Sequence, residues 1–192
     1  MLGSLSRRRL FQSAAGAATA ALAASRVAPA HLEKRPDPDE VADAVKDALI
    51  NKKVNACPMA VRVAWHASGT YDKQDASGGS NGGGMRFEPE RSDPANNGLF
   101  IIHDLLERVK QRFPTVSYAD LWTLAGCKAV EWMGGPSVPH SLGRTDMPNG
   151  SLCPANGRLP DASQGAAHLR DVFGRMGFSD RDSKRGARLE LR

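Results

Sequence analysis

Along the middle of the chain, apolar residues recur every three or four positions, the period of a helix buried on one side. No stretch shows the strict alternation of a half-buried strand. Five helices follow from this pattern. Asp37-Pro38 opens the first, about 39–53, in which Val41, Val45 and Leu49 fall on one face. Pro58 starts a second that runs to about Gly69. A third covers roughly 95–112, with Leu99, Ile102, Leu106 and Val109 at helical spacing. Ser117 with Asp120 caps a fourth through Met133, which buries Leu121, Leu124 and Ala125 with Trp132 at the end of the stripe; Gly134-Gly135-Pro136 stops it. The fifth, about 163–176, carries Leu169, Val172, Phe173 and Met176 and closes at Gly177. The expected fold class is all-α.

Two stretches escape the helical period. Residues 71–95 hold Gly78-Gly79-Ser80-Asn81-Gly82-Gly83-Gly84, and residues 134–161 hold five prolines. Both are expected to be long ordered loops, which in a compact domain more often serve a site than merely connect. The glycine cluster has neither dinucleotide-binding nor Walker spacing, so it is no phosphate loop. No internal repeat is visible.

The 192 residues carry 26 Lys and Arg against 21 Asp and Glu, a net charge of +5, but the excess lies at the ends. Residues 1–32 contain Arg7, Arg8, Arg9 and Arg26 and no acid; residues 183–192 contain four bases and Glu190 alone. The body, 33–182, is left with 18 bases against 20 acids. A nucleic-acid binder needs its basic charge on the folded surface, so that class is excluded. Three cysteines (Cys57, Cys127, Cys153) without C-x-x-C spacing argue against a disulfide scaffold and a zinc knuckle. Cys57 has no thiol-protease signature. The basic cluster, the Ala-rich stretch after it and Ala28-Pro29-Ala30 read as a targeting leader over 1–32. The leader suits a mitochondrial or plastid presequence, while Arg8-Arg9-Leu10-Phe11 also resembles a twin-arginine export signal. Its 15 weakly hydrophobic residues are too few to span a membrane.

Candidate chemistry gathers on the second helix. Arg62 and His66 are four apart and Trp65 is three from Arg62, so all three project from one side. Burying a guanidinium beside an imidazole is costly without compensation, and spacing alone leaves a core histidine with a surface arginine equally open. The run Val61-Arg62-Val63-Ala64-Trp65-His66-Ala67-Ser68-Gly69-Thr70-Tyr71 resembles the distal-helix signature of class I haem peroxidases, the ascorbate and cytochrome c peroxidase group. Further segments resemble that family in order: Asp93-Pro94-Ala95-Asn96-Asn97-Gly98-Leu99, Phe113 to Asp120, Gly134-Gly135-Pro136, Gly143-Arg144-Thr145-Asp146, Gly157-Arg158-Leu159-Pro160-Asp161 and His168 to Phe173. The resemblance covers about 37–182 and implies the distal half of a haem-peroxidase fold.

It also implies roles. His66 would be the general acid–base in peroxide cleavage, Arg62 would stabilise the departing oxygen, and Trp65 would lie over the haem. Asn96 would accept the Nδ1–H of His66, with Glu90 orienting Asn96, and Pro160 would flank the cofactor. Haem b, hydrogen peroxide, and ascorbate or cytochrome c as electron donor follow, with a role in oxidative stress. The ascorbate branch carries a Lys where this chain has Val54. The other histidines (His31, His103, His140, His168) are expected to be structural, with His140 near the haem edge. In the family a further helix brings the iron-ligating proximal His. That position falls at Glu190, and no His follows His168, so no metal ligand is assigned. Ser179 and Asp182 form a capping box with no apolar stripe behind it. The expectation is therefore a divergent tail over 183–192, from which the natural continuation is missing. A non-catalytic haem-binding or interaction fragment is the alternative function.

Overall fold

The computed structural model describes residues 35–182. The leader, His31 and the tail after Asp182 lie outside them. Five helices follow one another: α1 (Pro38–Leu49), α2 (Cys57–Gly69), α3 (Phe100–Arg112), α4 (Tyr118–Trp132) and α5 (Ala166–Met176). Single 3-10 turns lie at Gly84–Arg86, Glu90–Ser92, Pro94–Asn96 and Gly150–Leu152. Among the described residues, strand-like pairing is limited to isolated bridges, Ile50 with Asn55 and Gly82 with Asp146.

Helix ends depart from the periodicity where short polar side chains capture the backbone. The first helix stops at Leu49 and not near 53, because the Asn51 side chain accepts from the Lys53 and Val54 amides at 2.9 and 3.0 Å. Asn55 accepts from the Cys57 amide at 2.9 Å, and α2 begins there. The third helix starts at Phe100, five residues later than expected. Asp93 accepts from the Ala95 amide at 2.9 Å and winds 94–96 as a 3-10 turn. Likewise Asp161 accepts from the Ser163 amide, so α5 opens only at Ala166. Ser117 caps α4 as expected, accepting from the Asp120 amide at 3.0 Å.

The core lies where α1, α3 and α4 meet and α2 crosses α4. Val41, Val45 and Leu49 pack with Ile102, Leu106, Val109, Leu121, Leu124 and Ala125, all buried. Gly126 of α4 brings the two backbones together: a Cβ there would lie 2.3 Å from that of Ala64. In α5 only Val172 is buried, and Leu169, expected in its apolar stripe, is 42% exposed.

The two loops are ordered and bound to each other. Gly82 donates to Thr145 (2.8 Å) and accepts from Met147 (2.9 Å), while Asn81 accepts from the Thr145 amide. The carboxylate of Asp146 accepts from the Tyr118 and Ala119 amides at 2.8 and 3.1 Å, placing negative charge at the start of α4. Asp120, 4% exposed, accepts from the Gly143 amide and pairs with Arg144 at 3.1 Å.

Candidate functional site

Ala60, Val63 and Ala67 bury one side of α2, which turns Arg62, Trp65 and His66 together onto the half-buried opposite side. The segment Ala95-Asn96-Asn97 grips that side. Arg62 donates from Nη1 to the Asn97 carbonyl (3.0 Å) and from Nη2 to the Ala95 carbonyl (2.8 Å). Among the described residues no carboxylate forms an ion pair with it. The guanidinium is thus held in place by neutral acceptors.

His66 Nδ1 lies 2.8 Å from Asn96 Oδ1. Asn96 Nδ2 in turn donates to the Glu90 main-chain carbonyl at 2.8 Å. A carbonyl only accepts, so the Asn96 amide nitrogen must face Glu90 and its oxygen must face His66. The proton on His66 therefore sits on Nδ1, and Nε2 presents a lone pair. Burial pulls the imidazole pKa below its ordinary 6.5; the Asn96 bond opposes this, the Arg62 charge reinforces it, and Asp93 opposes it. The uncharged form of the ring is thereby favoured.

Glu90 contributes its main chain to this relay. Its side chain, 6% exposed, packs on Gly84, where a Cβ would come within 2.4 Å of Oε1. Burial, with the nearby Asp93 charge, pushes that carboxyl up to about 7, against the pull of Arg158. Trp65 stacks on Phe173 of α5, centroids 5.6 Å apart and planes 18° apart. Its six-membered ring also borders Gly69, which Leu159 approaches as well. Pro160, half-buried, follows Leu159 in the same turn.

The remaining described histidines are committed elsewhere. His103 stacks on Trp122 (4.7 Å), His140 Nε2 lies 2.9 Å from Thr123 Oγ1, and His168 Nε2 accepts from the Asp161 amide at 3.0 Å. His140 and Trp65 border one cavity of about 350 Å³. Among the described residues no three His, Cys, Asp or Glu side chains form a metal-binding group. Sequence reasoning missed Phe173 and Arg175 as neighbours of the site. The sequence offered no signal for Arg175, because Asp171, four residues before it, is an ordinary helical partner for an arginine.

A family model described as peroxidase matches residues 41–183, nearly three quarters of the chain. The chain belongs to the peroxidase family. The class I haem-peroxidase resemblance of its motifs is matched by its relatives. A Pyricularia oryzae protein provisionally named a heme-binding peroxidase is 59% identical over 128 residues, 67% of this chain and 43% of its own. A Yarrowia lipolytica protein provisionally named a mitochondrial cytochrome c peroxidase is 51% identical over 149 residues, 76% of this chain and 52% of its own. The mitochondrial cytochrome c peroxidase of Aspergillus fumigatus is 54% identical over 125 residues, 65% of this chain and 34% of its own. The chain thus spans about half or less of the length of these peroxidases.

Proposed function

We propose that this chain forms the peroxide-handling side of a haem peroxidase that reduces hydrogen peroxide to water. The observation that carries the reading is the Glu90–Asn96–His66 relay beside a guanidinium fixed by two carbonyls. The donor set fits haem b and peroxide: a half-buried indole, one bare imidazole nitrogen, and a cation that pairs with no carboxylate among the described residues. Haem, when bound, would supply the redox chemistry that breaks the O–O bond of the peroxide. His66 Nε2 takes the proton from the inner peroxide oxygen and returns it to the outer one, which leaves as water. Arg62 stabilises the negative charge that develops on the departing oxygen. Asn96 keeps the Nδ1 proton in place throughout, and Trp65 and Pro160 would hold the cofactor.

Cytochrome c is the electron donor best supported, through the relatives named for it; the exposed Val54, in place of a lysine, weighs against ascorbate. Those relatives and the basic, Ala-rich leader support a mitochondrial location, and a part in the response to oxidative stress would follow from the proposed removal of peroxide. The second reading, a haem-binding or interaction protein without turnover, draws on the engagement of His103, His140 and His168 away from His66.

Titrating the full chain with haemin, with free imidazole present as an iron ligand, separates the two. The peroxidase reading expects saturable uptake and peroxide-dependent oxidation of ferrocytochrome c, reduced about 10²- to 10⁴-fold in His66→Ala. Uptake with turnover that His66→Ala leaves intact overturns the acid–base role. Uptake without turnover favours the second reading.

A further inference from the structure

We infer that Arg158 and Arg175 are positioning residues that set the indole of Trp65 by clamping α5 and the 157–161 turn onto the end of α2. The bearing of this on haem rests on the peroxidase reading; the placement of Trp65 does not.

The last carbonyls of a helix have no partner inside it, and α2 lacks the usual remedy. Its C-cap, Thr70, stays right-handed (φ −79°), with no left-handed glycine to fold the chain back onto those carbonyls. Two guanidiniums meet them instead. Arg175 donates from Nη2 to the Gly69 carbonyl (2.9 Å) and from Nη1 to the Thr70 (3.0 Å) and Tyr71 carbonyls. Arg158 donates from Nη1 to the Thr70 carbonyl and to Ser77 Oγ, both at 2.9 Å. Arg175 Nη2 also donates to the Arg158 carbonyl at 2.7 Å, joining the two segments to each other. Neither arginine forms an ion pair with a carboxylate among the described residues, and the negative end of the α2 dipole faces both. Burial and the adjacent Arg158 both pull the Arg175 pKa below its ordinary value, as two cations sharing one acceptor cluster should.

Trp65 lies one turn before these carbonyls, and the two anchored segments bring Phe173 onto its ring and Leu159 against the neighbouring Gly69. Phe173, two residues before Arg175, stacks on the indole; Leu159, next to Arg158, lies against Gly69, the same glycine that the edge of the indole approaches. The guanidiniums reach neither the indole nor any reacting group. They act through Phe173 and Leu159.

The test uses the full chain labelled with 5-fluorotryptophan, whose three ¹⁹F resonances report Trp65, Trp122 and Trp132 separately, Trp65→Phe assigning the first. In Arg175→Ala the Trp65 resonance is expected to shift and broaden, while those of Trp122 and Trp132 stay. Arg175→Lys, which keeps the charge but cannot span three carbonyls, should give an intermediate shift. Arg158→Lys serves the same purpose if Arg175→Ala does not fold. A Trp65 resonance at the wild-type position in the lysine variants, or equal displacement of all three, overturns the inference. Haemin titration adds the second arm, with affinity expected to fall about tenfold or more in Arg175→Lys. If wild type takes up no haemin, the peroxidase reading fails, while the ¹⁹F result stands on its own.

Discussion

His66 gains its properties from one amide. Because Asn96 is itself oriented by a carbonyl, it accepts from Nδ1 without adding charge, and burial is left free to hold the imidazole neutral. Replacing that amide by a carboxylate keeps the acceptor and adds an anion that favours imidazolium. In Asn96→Asp the pKa of His66 should therefore rise by about one unit or more, and an NMR titration of the ring should show it without any haem. Wild type should titrate below 6.5. A variant that titrates with wild type would mean that Asn96 does not face the ring in solution. Arg62, Trp65 and His66 were legible in the sequence because helical geometry turns index into direction. Asn96 was not reachable that way. It lies 30 residues from His66, in a loop whose path no periodicity describes, and only the family motif pointed to it.

Helix positions were legible from apolar spacing, and helix ends were not, for a local reason. Asn51, Asp93 and Asp161 each bind amides two or three residues ahead, ending or delaying a helix that the apolar pattern would continue. The meeting of α2 and α4 was equally hidden, because a glycine gives no apolar signal. Gly126→Ala tests how closely they approach. Helix propensity alone would favour alanine by roughly 0.5–1 kcal/mol. The new methyl, however, would lie 2.3 Å from Ala64 Cβ and 3.3 Å from the Ala60 carbonyl, within two packed helices that cannot yield independently. Overpacking of this kind costs about 1–3 kcal/mol, so the variant should be less stable overall. Urea unfolding should show a lower midpoint at an unchanged slope. The strain bears on the helix that carries His66, so its ring resonances should move as well.

At the scale of the whole molecule, the site depends on loops that hold one another. The Gly-rich loop lies against 145–147, the carboxylate of Asp146 anchors α4, and Glu90 sits folded against Gly84 while its carbonyl holds Asn96. The +5 net charge describes none of this, since the body it averages over is close to neutral. What does matter to the body is the Glu90 carboxyl, buried behind the site. Glu90 titrates near 7 in the folded chain, against an ordinary 4.5. Below pH 4.5 it is protonated in both states and costs nothing. Between 4.5 and 7 the unfolded chain releases the proton while the folded chain retains it, so stability falls as pH rises; above 7 the full penalty remains. Glu90→Gln removes the titration and keeps the carbonyl that binds Asn96. It should therefore be more stable than wild type at pH 8 by something of order 2 kcal/mol, the partial access of water reducing the full effect of the shift. The advantage should vanish near pH 4, which urea midpoints at the two pH values would measure. The His66 titration should be little changed in this variant, because the relay runs through the main chain; a large change would show that the carboxyl itself sets the state of the ring.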